Sequence, residues 1–203
     1  MYPVTNVVLP KDFNQNELVH TIKDKRSDAN VFLDDYAWMI LGVTSLYETD
    51  FDWNWIQIAN QLADRMLADF WSDKESTFYF SKENNSDLIL RPKEIYDGAT
   101  PSATGVAVTA LVKLGRMTGN AKYLKTAGTV LMEYGEQLPK SPHAFSQLVL
   151  ATLDMQDRPI ETVFAECEDT EKNHEMISAL REHYLPGNIV LKFEPKTKNP
   201  HFE

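Results

Sequence analysis

Apolar residues set the rhythm of this chain. From Asp34 onward, Tyr36, Met39, Ile40, Val43, Leu46 and Tyr47 recur three and four apart, which makes one apolar stripe and predicts a helix. The run "ETDFD" ends it. A second helix is expected over residues 52–71, with Ile56, Ala59, Leu62, Ala63, Met66, Leu67 and Phe70 facing inward. "STFYFS", residues 76–81, is rich in β-formers and reads as a short strand. A polar turn then leads into an extended segment and loop, "LILRPKEIYDGATPSA". The third helix is expected to begin at Pro101 or Ser102, because proline is favoured at the first helical position, and to reach about Thr118. "TGNAKY" is a turn signal. A fourth helix covers residues 121–136, "LPKSPH" breaks the chain, and a fifth helix covers 143–154.

The tail changes character. Residues 160–168 read as a strand, 170–184 as a helix and 188–195 as a second strand, which predicts a small β-α-β unit with parallel strands. The domain organisation expected is an irregular segment over 1–30, a helical-hairpin domain over 31–157 and a small α/β tail over 158–203.

An internal repeat adds a constraint on architecture. At an offset of 68 residues, Leu46 falls on Leu114, Trp55 on Tyr123, Ala59 on Ala127 and Leu62 on Val130. Each half reads helix, short turn, helix, and each carries an aromatic followed four residues later by a small alanine that lets helices approach. Repeated helical hairpins are the unit of α-solenoids and of α/α toroids.

Composition narrows the partners. The formal charge is −10, and the longest basic cluster is Lys23–Arg26, so neither nucleic acid nor an anionic membrane is an expected partner. No apolar run approaches the roughly 20 residues of a membrane helix. The N-terminus has no signal-peptide pattern, and one cysteine, Cys167, permits no internal disulfide, so a cytoplasmic location is expected. The five histidines form no metal-binding spacing, and there is no G-x-G-x-x-G and no P-loop. No metal and no cofactor is therefore expected.

Two blocks carry a resemblance. "FLDDYAWMILGVTSLYETDFDWNWIQIANQLADRMLADFW" and "LRPKEIYDGATPSATGVAVTALVKLGRMTGNAKYL" are similar, in this order, to paired blocks of the YyaL-type proteins, often named thioredoxin domain-containing or spermatogenesis-associated proteins. With the tail, the resemblance covers roughly residues 20–195. It implies a mainly α fold: a partial α/α toroid of helical hairpins, six-hairpin glycosidase-like, with a small C-terminal β-α-β appendage. It also implies that the chain matches the C-terminal portion of such a protein, without the thioredoxin-like domain and the first hairpins. The family's "PSGNS" reads "PSATG" here, so its asparagine position is Thr104.

In a toroid of this kind the inner helices point one end at a central funnel. Asp34 and Asp35 stand at such an end. Paired carboxylates suit glycoside chemistry and hydrogen bonding to sugar hydroxyls. Adjacent helical residues do not face one another, so one of the two is expected to cap the helix and the other to face the cavity. Asp97, in a glycine-containing turn, is the candidate second carboxylate; its alternative role is to hold backbone N–H groups within that turn. Tyr36, Arg91, Lys93, Glu94, Tyr96, Ser102 and His143 are candidate substrate-binding residues. The aromatics Trp38, Trp53, Trp55, Trp71, Phe78, Tyr79 and Tyr96 are either core or sugar-stacking platforms. Toroid epimerases rely on a histidine pair, and only His143 stands at a comparable helix start.

Two functions follow from different classes. One is a carbohydrate-binding or carbohydrate-active module working through an acidic funnel. The other is a non-catalytic interaction module, or a degenerate remnant, that works with a thioredoxin-like domain or a partner chain. The second predicts self-association or a partner chain that completes the toroid.

Overall fold

The computed structural model describes residues 18, 20, 22–23, 25–26, 30–83, 90–156, 160–165, 170–183 and 187–193. The residues described within the first thirty include β1 (Ile22–Lys23) and β2 (Lys25–Arg26), paired antiparallel. Helices dominate the rest. Helix α1 (Leu33–Asp50) and α2 (Asn54–Phe70) form a hairpin, and α3 (Ala103–Thr118) and α4 (Ala121–Tyr134) form a second. Helix α5 (Ser146–Gln156) follows.

The stripe read from the sequence is the stripe that is buried. Tyr36, Ile40, Val43 and Tyr47 of α1 are buried, as are Ile56, Ala59, Leu62, Ala63, Met66 and Phe70 of α2. Each large apolar side chain contributes about 1.5–3 kcal/mol by leaving water. The first hairpin closes at Phe51, whose φ of 59° is left-handed and whose N–H donates to the Tyr47 carbonyl. That conformation costs about 1–2 kcal/mol in a residue with a Cβ. The Phe51 ring is held between Tyr47, at 5.8 Å between ring centres, and Phe164, at 6.2 Å.

Three of the four pairs of the 68-residue repeat match in burial; in the fourth, Leu46 is half-buried where Leu114 is buried. Trp55 and Tyr123, Ala59 and Ala127, and Leu62 and Val130 are all buried at matching places in α2 and α4. Helix α3 is central: it packs against α1, α4 and α5. Its face is almost wholly buried, from Ala103 through Leu114 to Met117. Lys113 of α3 meets Glu48 of α1 at 2.7 Å, and the Tyr123 hydroxyl of α4 donates to the Asn60 carbonyl of α2 at 3.2 Å.

Several boundaries differ from expectation for visible reasons. The strand expected over 76–81 is only β4 (Thr77–Phe78), paired antiparallel with β3 (Trp71–Ser72), because the chain leaves the ladder to make an isolated bridge from Ser81 to Phe32. Helix α3 starts at Ala103, one residue after its cap: the Ser102 hydroxyl accepts the Gly105 N–H, so Pro101 lies outside the helix. The fifth helix does not begin at His143. Pro142–Ala144 is a 3-10 turn, and Phe145, with φ −135° and ψ 30°, is neither helical nor extended and separates it from α5.

In the tail, β5 (Glu161–Ala165) and β6 (Ile189–Phe193) pair in parallel around α6 (Thr170–Arg181), with Glu161 opposite Ile189 and Ala165 opposite Phe193. Strand β6 lies on α3, Ile189 enters the main core, and the Lys192 N–H donates to the Tyr47 hydroxyl at 3.1 Å. The domain boundary expected near 157–158 and Cys167 fall outside the described residues. Among the described residues, no helix is long and apolar enough to cross a membrane.

Candidate functional site

The loop over residues 90–102 crosses the N-terminal ends of three helices, α1, α3 and α5. Helix starts leave backbone N–H groups without partners and carry the positive end of the helix dipole, so carboxylates gather there. Four do so here, and they divide into two kinds.

Asp97 is fully engaged by backbone. One of its carboxylate oxygens accepts the Ser102 N–H at 2.9 Å and the other accepts the Gln147 N–H at 2.7 Å. Its own N–H donates to the Ala144 carbonyl at 2.9 Å. One side chain thus ties the start of α3 to the start of α5. Asp35 is engaged by one backbone amide and one side chain: it accepts the Phe32 N–H at 2.9 Å and meets Nδ1 of His20 at 2.9 Å. The hydrogen bond to Asp35 raises the His20 imidazole above its usual range.

Asp34 and Glu94 are the other kind. Asp34 accepts the N–H of its neighbour Asp35 at 3.0 Å. Partial burial pushes its carboxyl up, and the charge on Asp35 pushes the same way. Glu94 is raised first by burial and then by the field of Asp34. Its backbone carbonyl accepts the Thr104 N–H at 3.1 Å, which seats it against the first turn of α3. Glu94 therefore feels the field of Asp34 from a separate element, while Asp97 is bonded to amides.

The remaining candidates are placed as follows. Tyr36 is buried, packed on Phe70 at 5.6 Å between ring centres, and its hydroxyl accepts the Leu18 N–H at 3.4 Å. Arg91 donates to the Ser81 and Asp69 carbonyls and lies 4.2 Å over the Tyr79 ring. Lys93 pairs with Glu75 at 2.9 Å, which raises the lysine and lowers the glutamate. Ser102 is the buried cap of α3. His143 is exposed in its 3-10 turn, and its carbonyl accepts the Ser146 hydroxyl. Both cations of the loop are thus committed away from the Asp34–Glu94 pair.

Two of the candidate aromatics are open to solvent among the described residues. Trp38 is 47% exposed and stands one helical turn from Asp34 on the same face of α1. Tyr96 is 64% exposed and leans on Phe145 at 4.9 Å. Trp55 and Phe78 are core, while Trp53, Trp71 and Tyr79 are partly covered. Thr104, where the resembled family carries asparagine, is fully buried, and its hydroxyl has no hydrogen-bond partner among the described residues. Among those residues no three His, Cys, Asp or Glu side chains are grouped as a metal site would need.

Two features of this end were not drawn from the sequence. The first is the role of Gln147, whose N–H meets Asp97 and whose side chain donates to the Thr109 hydroxyl at 2.8 Å. The second is the exposure of Trp38. Its signal was present: it falls outside the stripe of Tyr36, Ile40, Val43 and Tyr47.

No family model matches the chain. It is similar to spermatogenesis-associated protein 20 of Rattus norvegicus, 27% identical over 161 residues, which are 79% of this chain and 20% of the relative. The Mus musculus protein of that name is 28% identical over 163 residues, with the same coverage. An uncharacterised protein of Caenorhabditis elegans is 24% identical over 173 residues, 85% of this chain and 24% of the relative. The chain spans about a fifth of the length of the mammalian relatives it matches.

Proposed function

We propose that the end of the molecule built by Asp34, Glu94 and Trp38 binds a carbohydrate, and that the two hairpins with α5 are an arc of an α/α toroid whose funnel opens there. The supporting observation is that Asp34, half-buried on α1, and Glu94, exposed on the loop before α3, come from separate elements; burial raises Asp34, and the field of Asp34 adds to a rise at Glu94. Such a pair holds a proton more readily than ordinary carboxylates do. Two carboxyls on separate elements can accept hydrogen bonds from neighbouring sugar hydroxyls. Trp38 offers the flat apolar face on which a sugar ring stacks. In this reading Asp97 and Ser102 position the loop that carries Glu94, and Tyr96 borders the opening. The arc spans residues 31–157, the β-α-β unit is its appendage, and the protein works in the cytoplasm.

A thermal-shift screen against mono- and oligosaccharides tests this. The reading expects a saturable rise in melting temperature for at least one sugar, lost in Asp34→Asn and in Glu94→Gln while both variants melt cooperatively. A chain that melts cooperatively and shifts with no sugar, or shifts equally in both variants, sinks it.

A further inference from the structure

The two hairpins also say what belongs beside α5. Helices α2 and α4 form an outer layer, and each buries the same stripe: Trp55, Ala59 and Leu62 in one, Tyr123, Ala127 and Val130 in the other. The second outer helix is keyed to the first by Tyr123, whose hydroxyl reaches the Asn60 carbonyl at 3.2 Å and the Asp64 carboxylate at 3.1 Å. Moving these two positions on by the 68-residue offset gives Gly128 and Met132 of α4.

Both residues line an open groove of about 570 Å³ between α4, α5 and the 3-10 turns that join them. Met132 is 83% exposed, and Leu153, on the α5 side, is 48% exposed. A Cβ on Gly128 would lie 3.1 Å from the Met155 methyl of α5, so the two walls touch at the groove floor. None of the lining residues is charged. The cleft between α2 and α4, in contrast, carries four charged residues, Asp64, Asp73, Lys122 and Lys125, beside Leu67, Ala68 and Trp71. The apolar groove therefore continues the outer-layer interface by one repeat. No outer helix follows α5 among the described residues, because the chain passes to β5, whose sheet lies on α3.

We propose that this groove takes an amphipathic helix from a partner polypeptide, lying on α5 as the third member of the outer layer. Its docking face repeats the pattern of α2 and α4: an aromatic, a small alanine four residues on, and an aliphatic residue three further. The aromatic end sits at Gly128 and Met132. The inference does not depend on sugar binding at the other end of the helices.

The test uses the whole chain and a peptide of residues 119–137, which carries that pattern, held helical by a staple joining positions 122 and 125 and tagged with a fluorophore. Saturable binding by fluorescence anisotropy is expected, weakened at least tenfold by Met132→Glu and by Leu153→Glu in the chain, and by Tyr123→Ala in the peptide. Both chain substitutions are at exposed positions, and their melting curves check that the fold persists. No binding at millimolar chain, or binding indifferent to all three substitutions, overturns the proposal. So does a dimer in sedimentation velocity that Met132→Glu dissociates, since the groove then belongs to a second copy.

Discussion

Asp97 and Glu94 lie three residues apart on one loop, yet they are opposite in kind. Asp97 gives both oxygens to backbone N–H groups at the starts of α3 and α5. Glu94 carries a raised carboxyl beside another raised carboxyl, Asp34. The difference teaches where stability is separated from ligand chemistry. A carboxylate that satisfies helix ends is stabilising, and both of its oxygens are already held by amides. Two like charges held near one another, a half-buried Asp34 and an exposed Glu94, cost stability, and perturbed carboxyls are common where ligands bind.

Removing Asp97 should give the largest effect. Asp97→Ala leaves two helix-start amides without their charged acceptor, and hydrogen bonds to charged groups are worth about 1.5–3 kcal/mol each. A loss of roughly 3 kcal/mol is expected, read as a melting temperature lower by about 6–12 °C. A change under 2 °C would erase the contrast with Glu94.

Next in size is Gly105→Ala. The added Cβ would stand 2.7 Å from the Ser102 hydroxyl and 2.8 Å from the Gln147 Cβ. Overpacking of this kind costs about 1–3 kcal/mol, and chemical denaturation should show it as a lower midpoint at unchanged slope. A neutral outcome would mean that α3 and α5 do not approach as closely as Asp97 requires.

Asp35→Asn sits between the two kinds. It weakens the bond to the Phe32 N–H and removes the charge that raises His20. The His20 contribution is full below the ordinary imidazole value and fades as pH rises through the raised one. The gap in melting temperature between wild type and variant should therefore narrow as pH rises from below about 6.5. A gap that widened with pH would refute the His20–Asp35 coupling.

The smallest effects belong to the proposed site. Because Asp34 and Glu94 are raised, the folded state holds protons that the unfolded chain has released, and that contribution is lost as pH rises through the folded values. Asp34→Asn and Glu94→Gln should thus cost nothing at neutral pH and gain on the wild type as pH rises through the carboxylate range. Thr104→Val should be neutral or slightly stabilising, since it removes a buried hydroxyl without a partner.

Much of the scaffold was legible because helices advertise themselves locally. The stripe from Tyr36 to Tyr47 needs only spacing, and the match of Trp55 to Tyr123 needs only a fixed offset. The parallel pairing of β5 and β6 followed from a strand, helix, strand order. Tertiary partnership was less accessible. Asp97 meets Gln147 across 50 residues of chain, and no local pattern marks that. Asp34, Asp35 and Asp97 look alike in sequence; what separates them is which amides lie within 3 Å. The start of α3 was legible to within a residue, because Ser102 caps it and Pro101 stands just before.

The most direct measurement is a carboxyl-carbon NMR titration of Asp34 and Glu94 in the wild type and in Asp34→Asn. The account predicts that both titrate above ordinary carboxylates and that Glu94 drops toward the ordinary value, without fully reaching it, once Asp34 is neutralised. Ordinary values in the wild type, or a Glu94 titration indifferent to Asp34→Asn, would show that the two carboxyls do not form a pair.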